Sequence, residues 1–322
     1  MAEASPGRPF PKRLITTEDL DLEEIRRLIE YARDLRKRHE QGEGLPSQAG
    51  KCVVLWFTEP STRTRLAFAS ALTKLSASFI DLEPTASSMA KGESIAETAR
   101  TLDALGMAGV VMRTGHPDGP GLVAEHFGGV VINAGAGTFA HPTQALADLA
   151  AVAEKQEVWQ GGLRMLVVGD IVRSRVARST VRLWTRLGHR VTLAGPLGGL
   201  PQSWLKSPPA LVEVTTSLPE LGQFDLVMML RTQREREGIP FPSPGEFARH
   251  FGLTRERATM LKGDALILHP GPYEPGVEID PEVARSQRSL IQSQVEWGVW
   301  VRTALLDLML SSASEQGGEA GG

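Results

Sequence analysis

The stretch KCVVLWFTEPSTRTRLAFASALTKLSA, residues 51–77, decides the fold. Val53-Val54-Leu55-Trp56-Phe57 is a short, continuous apolar run, as expected of a strand buried on both faces. RLAFASALTKLSA reads as a helix. Between them lies Ser61-Thr62-Arg63-Thr64-Arg65, a run of hydroxyls holding two arginines. A strand that enters a helix through such a turn belongs to an α/β unit.

The same alternation continues outward on both sides. DLDLEEIRRLIEYARDLRKRHEQG, residues 19–42, places Ile25, Leu28, Ile29 and Ala32 at helical spacing, with Gly42 as its stop. ASFIDL and GVVMR read as strands around the helix ESIAETARTLDAL. GVVINA is a further strand and PTQALADLAAVAEK a further helix. After EVWQGG the pattern restarts: RMLVVGD as a strand, ARSTVRLWTRLG as a helix, then the strands HRVTLAGP, FDLVMML and DALILHP. Two rounds of alternation predict two α/β domains, each with a mainly parallel sheet flanked by helices. The expected division is 1–150 and 151–290, with a helix over about 291–310 that returns to the first domain. Its Trp297, Val301, Leu305 and Leu308 share one face. The small, polar segment 311–322 is expected to be disordered.

Composition narrows the function. The chain has 322 residues, 41% hydrophobic and 23% charged, as a globular protein of two domains has. A net charge of −3 supplies no field to hold nucleic acid. The single cysteine, Cys52, allows neither an intrachain disulfide nor a cysteine-based zinc site, and it suits a reducing cytoplasm. The N-terminus has no apolar core of a secretory signal, and no run of about 18 apolar residues is present to span a membrane.

In parallel α/β sheets, ligands collect beyond the carboxyl ends of the strands, where helix N-termini offer free N–H groups and partial positive charge. Ser61 to Arg65 sits at such a junction. Its hydroxyls, amides and an arginine suit a phosphate. The same residues also suit a serine cap with a solvated first turn. His141-Pro142-Thr143-Gln144 opens a second helix after a Gly-rich turn. His141 and Gln144, three apart, can face one ligand and polarise a carbonyl, or simply serve locally. Arg113 ends the strand GVVMR. Ser87, Ser88 and Lys91 precede another helix, where a solvated lysine would be ordinary.

Taken together, FTEPSTRTRLAF, KGESIAET, VVMR, INAGAGTFAHPTQALADL, VVGDIVRSRVARS, MLRTQRER and LHPGP…GVEID closely resemble the aspartate carbamoyltransferase catalytic chains, in order and spacing, over almost the whole sequence. The resemblance implies an enzyme that transfers the carbamoyl group of carbamoyl phosphate to L-aspartate in pyrimidine biosynthesis. By motif, Ser61, Thr62, Arg63 and Thr64 would hold the phosphate. Arg113, His141 and Thr64 would contact the carbamoyl oxygen. Gln144 and the carbonyls of Gly271 and Pro272 would take the carbamoyl nitrogen. Arg175 and Arg231, assisted by Gln233 and Lys91, would bind aspartate. Ser87 and Lys91 would come from a neighbouring subunit, so a cytoplasmic homotrimer with shared sites is implied. A larger assembly with regulatory or dihydroorotase-like chains stays open. Neither cofactor nor metal is implied, and closure of the two domains would bring the substrates together.

The sequence departs from that pattern beside the matched residues. Ala136 stands where the family usually has an aspartate, Ala140 where a glutamine is common, and Glu274-Pro275 where related chains often carry Asn-Arg. Three other readings weigh less. An ornithine carbamoyltransferase typically has HCLP, with a cysteine, where this chain has HPGP, and its amine substrate favours acidic groups over arginines. A dinucleotide-binding reductase would want G-x-G-x-x-G after its strand, a turn filled here by Asp170, Val172 and Arg173. A relative that binds without turnover would have less use for Arg63, Arg113, His141, Arg175 and Arg231 together.

Overall fold

The computed structural model describes residues 9–82, 93–232 and 241–318. By contacts between backbone positions, the chain divides into two compact units, Met1–Gly137 with Val299–Gly322, and Thr138–Gly298.

The first unit holds β1 (Arg13–Leu14), α1 (Leu22–Glu40), β2 (Cys52–Phe57), α2 (Thr62–Lys74), β3 (Ser78–Leu82), α3 (Ile95–Ala104), β4 (Gly109–Thr114), α4 (Gly119–His126) and β5 (Val130–Ala136). Its strands run parallel in the order β1-β5-β4-β2-β3. Alternate residues of β2 leave opposite faces, and both faces are covered. Val54 and Trp56 pack with Leu102, Val110, Val123 and Phe127, whereas Val53 and Leu55 are buried on the other side. That double burial is why the run is uninterruptedly apolar. α1 starts with a capping box, in which Asp21 and Glu24 each accept the other's backbone N–H at 2.8 Å.

The second unit holds α5 (Pro142–Ala153), β6 (Arg164–Val168), α6 (Arg175–Arg186), β7 (Arg190–Ala194), α7 (Gln202–Lys206), β8 (Val212–Thr215), β9 (Leu226–Met229), α8 (Pro244–His250), α9 (Arg255–Thr259), β10 (Leu266–Leu268) and α10 (Pro281–Ala284). The sheet order is β10-β9-β6-β7-β8, again all parallel. A core of Leu166, Val168, Val227, Met229, Ile267 and Phe247 covers one face. At Gly169 the backbone has φ +140°, and a Cβ there would stand 3.0 Å from the Leu230 carbonyl oxygen. Glycine is therefore required where the chain leaves β6 beside β9.

The last helix, α11, spans Ile291–Gly318. The segment expected to be disordered from 311 is thus helical as far as 318. Tertiary hydrogen bonds compensate for its weak composition: the Ser312 hydroxyl accepts the Phe10 N–H at 2.9 Å, and Ser311 accepts from Gln48 at 2.8 Å. One turn earlier, the buried Asp307 accepts from Tyr31 at 2.7 Å and from Gln48 at 2.6 Å.

Candidate active site

Each sheet has one place where the strand order reverses, and chemistry-bearing residues gather at both. In the first unit the chain goes from β2 to β3 on one side, then places β4 on the other. The loops leaving β2 and β4 therefore diverge and open a crevice at their carboxyl ends. Register pairs Phe57, the last residue of β2, with Arg113 near the end of β4. The Arg113 carbonyl accepts the Thr58 N–H at 2.8 Å, which ties the start of the β2–α2 loop to β4.

Ser61 is the N-cap residue of α2, yet its side chain makes no capping hydrogen bond. The helix therefore begins with backbone N–H groups that its own cap leaves unused. Nor does its first turn contain an acidic residue. α1, α3, α8, α9 and α10 all place glutamate there, as the helix dipole favours. α2, α4, α5, α6, α7 and α11 do not, and of these α2, α5 and α6 offer Arg63, His141 with Gln144, and Arg175. A helix start without its own anion is suited to an anionic ligand.

The two arginines of the run have different surroundings. Arg65 turns back to β3, where its Nε donates to Asp81 at 2.7 Å and its Nη2 pairs with the other carboxylate oxygen. Arg63 stands on the exposed side of the first turn. Thr64 is buried, and Arg113 Nη1 lies 3.5 Å from its hydroxyl. Glu59 lies 3.9 Å from Arg113 Nε, completing a small polar group around that guanidinium. Ser61, Thr62, Arg63, Thr64 and Arg113 thus come together at one switch point.

In the second unit the reversal falls between β6 and β9, where Val168 pairs with Met229. Arg175 opens α6 just beyond β6, and Arg231 follows β9 by two residues. Ser174 caps α6, its hydroxyl accepting the Ala177 N–H at 3.1 Å. Arg173 is held by Asp170, with a 2.9 Å bond between two almost wholly buried side chains. Thr232 is buried and bonded to Glu278, the glutamate of GVEID.

His141 caps α5 with its backbone and is buried, its N–H donating to the Ser179 hydroxyl at 2.9 Å. Gln144 Nε2 donates to Asp148 at 2.8 Å. Gly271, at φ +64°, donates its N–H to His269 Nδ1 at 2.9 Å. Ala136 and Ala140 are both fully buried. The expected contributions of Ser87, Lys91 and Gln233 lie outside the described residues. Asp148 and Glu278 sit inside quoted motifs without a role assigned to them, and Gln294 lies outside every motif; all three support these elements.

Among the described residues, no group of three or more His, Cys, Asp or Glu could hold a metal ion, and no helix is long and apolar enough to cross a membrane.

Two family models cover nearly the whole chain: the aspartate/ornithine carbamoyltransferase carbamoyl-P binding domain over residues 12–154, and the Asp/Orn binding domain over 161–309. The chain belongs to the aspartate/ornithine carbamoyltransferase family. A carbamoyltransferase relative from Thermobifida fusca, an aspartate carbamoyltransferase catalytic subunit, is 43% identical over 96% of this chain and 99% of its own. Aspartate transcarbamoylase from Trypanosoma cruzi, solved with carbamoyl phosphate and aspartate, superimposes with a TM-score of 0.80 at 25% identity, over 91% of this chain and 95% of that one. The same enzyme solved with carbamoyl aspartate and phosphate gives a TM-score of 0.80 at 26% identity, over 90% and 93%.

Proposed function

We infer that this chain is an aspartate carbamoyltransferase, transferring the carbamoyl group of carbamoyl phosphate to the α-amine of L-aspartate to give N-carbamoyl-L-aspartate and phosphate. The observation that carries this is the pair of switch points, with Ser61 to Thr64 gathered at one and Arg175 and Arg231 at the other, groups suited to phosphate and to carboxylates. The arginines at the second favour a dicarboxylate amine over ornithine, whose own ammonium groups would be repelled. The Thermobifida relative carries this activity in its name, and the Trypanosoma enzyme has been solved with both substrates and both products.

In this reading Ser61, Thr62, Arg63 and Thr64 hold the phosphate oxygens. Thr64, Arg113 and His141 face the carbamoyl oxygen, while Gln144 and the carbonyls of Gly271 and Pro272 face the carbamoyl amino group. Arg175, Arg231, Gln233 and Lys91 hold aspartate. The deprotonated amine of aspartate attacks the carbamoyl carbon, and the carbonyl oxygen gains the negative charge. Arg113 and the Thr64 hydroxyl stabilise that oxyanion. Collapse reforms the C=O bond and breaks the C–O bond to phosphate. The departing phosphate takes the proton released by the amine. Holding two anions at bonding distance supplies much of the acceleration.

The reading includes a cytoplasmic homotrimer in which a neighbouring chain supplies Ser87 and Lys91. Edge strand β3 exposes Phe79 and Ile80 (37% and 52%) and α2 exposes Leu66 (55%), apolar side chains that a second copy of the chain would cover. Light scattering tests the mass. Mixing inactive Arg63→Ala and Lys91→Ala subunits should restore some activity through sites that combine two intact halves. A monomer with full activity overturns the shared site.

The deciding assay offers carbamoyl phosphate with L-aspartate or with L-ornithine. Carbamoyl-aspartate and phosphate formed with aspartate alone support the reading. Turnover with ornithine, or with neither amine, overturns it.

A further inference from the structure

We propose that Asp148 and Gln294 are positioning residues which hold the Gln144 amide with its oxygen toward the carbamoyl amino group, so that the site selects a carbamoyl over an acyl phosphate. The proposal rests on the assignment of Gln144 to the carbamoyl nitrogen.

Chemical polarity sets the direction of every bond in this network. The backbone N–H of His269 can only donate, and it reaches Gln294 Oε1 at 2.9 Å. The Gln294 amide is therefore oriented, and its Nε2 must point the other way. That nitrogen donates to Asp148 Oδ1 at 2.7 Å. Gln144 Nε2 donates to the same oxygen at 2.8 Å. A carboxylate accepts from both amides, so Gln144 turns its nitrogen inward and leaves Oε1 as the outward-facing atom. Asp148 is fully buried and Gln294 is 2% exposed, so water does not compete for these bonds.

The geometry also explains the positions of the parts. Gln144 and Asp148 are four apart on α5, hence on one helix face. Gln294 lies in the first turn of α11, and through His269 it holds the start of the His269-Pro270-Gly271-Pro272 turn. His269 in turn accepts the Gly271 N–H. The two groups that meet the carbamoyl nitrogen, the Gln144 oxygen and the carbonyls of that turn, thus hang on one buried carboxylate. Both are acceptors. An –NH2 group supplies two donors to match them, whereas a methyl group supplies none. A site built to receive N–H donors rejects an isostere lacking them, because its own acceptors are left unmet.

Acetyl phosphate is the probe: it keeps the phosphate and the carbonyl and replaces –NH2 with –CH3. Gln294→Met retains volume but breaks the path between His269 and Asp148. Gln294→Glu keeps the acceptor for His269 but turns a second carboxylate toward Asp148. In both variants kcat/KM for carbamoyl phosphate should fall at least about tenfold, while competitive inhibition by acetyl phosphate stays within about twofold of the wild type. Unchanged inhibition certifies that the phosphate cradle is folded, and two chemically different variants guard against one that does not fold. Equal weakening toward both phosphates, or no change toward either, overturns the proposal. A wild type that turns over no carbamoyl phosphate would instead defeat the underlying assignment of function.

Discussion

One carboxylate oxygen of the fully buried Glu278 accepts both the backbone N–H of Thr232, at 2.9 Å, and the Thr232 hydroxyl, at 3.1 Å. Its other oxygen accepts the Glu274 N–H. The turn after β9, which carries Arg231, is thus fastened to the turn after β10. Glu278→Gln keeps the shape but places an amide N–H against a backbone donor. Leaving a buried donor unmet costs about 1–3 kcal/mol, so the KM for aspartate should rise roughly tenfold. The KM for carbamoyl phosphate should move little. Steady-state kinetics in both substrates decide it, and a variant with lowered thermal stability but an unchanged aspartate KM would refute the positioning role.

Arg113 and Arg65 should separate catalysis from structure. Arg113 lies 3.5 Å from the Thr64 hydroxyl at the switch point, where the proposed mechanism places the oxyanion. Removing one such donor typically costs roughly 10²–10³ in kcat, so Arg113→Ala should fall in that range. Arg65 is spent on Asp81, and both side chains are partly exposed, at 43% and 28%. Screening leaves such a pair worth about 1 kcal/mol or less. Asp81→Ala should therefore lower the melting temperature by a few degrees and leave kcat within about twofold. A large loss of kcat in Asp81→Ala would mean that Arg65 works in the site only when held by its partner.

Ala136 stands where the resemblance implies an aspartate, and its surroundings argue against a simple substitution to one. The residue is fully buried and paired with Thr114 at the end of β5. A carboxylate placed there without a dedicated partner would lose hydration. Ala136→Asp should destabilise the protein by about 1–3 kcal/mol, measured as a lower urea midpoint. An unchanged midpoint would mean that the site still provides partners for the acid.

Much of this was legible in the sequence because it is local. The apolar run Val53–Phe57 announces a strand covered on both faces, and the hydroxyl-rich turn after it announces the start of α2. The glutamate-free first turns of α2, α5 and α6 can be read directly once their starts are known. What stayed hidden depends on distant partners. β1, only Arg13–Leu14, has no periodicity of its own and exists through pairing with Val131 and Ile132. α4, with the sequence GPGLVAEH, has poor intrinsic propensity and is sustained by burying Val123 and Ala124. Ser311 and Ser312 look like tail residues until Gln48 and Phe10 meet them. Asp148 and Gln294 are 146 residues apart, so no motif joins them.

A last prediction concerns His189, which is fully buried beside Trp184, with ring centroids 5.0 Å apart. Its Nδ1 accepts the Leu163 N–H at 3.2 Å and so carries no proton. Nε2 therefore holds the proton and donates to the Val158 carbonyl at 2.9 Å. The Leu163 bond requires the neutral ring, since Nδ1 of an imidazolium carries a proton and cannot accept, whereas the Val158 bond survives protonation. Burial pushes its pKa below the ordinary histidine value, outweighing the opposing effects of the Val158 bond and the Asp225 charge. In the unfolded chain the same ring gains a proton as pH drops below about 6.5. The unfolded state then binds more protons than the folded one, so stability rises with pH in this window. The contribution is complete above about pH 6.5 and is lost as pH falls toward the lowered value, by at most about 1.4 kcal/mol per pH unit. Urea titrations at pH 7.5, 6.5 and 5.5 should give a steeper loss of stability for the wild type than for His189→Asn, which should be less stable at neutral pH but less sensitive to acid. Parallel pH profiles for the two proteins would mean that another group carries the acid sensitivity.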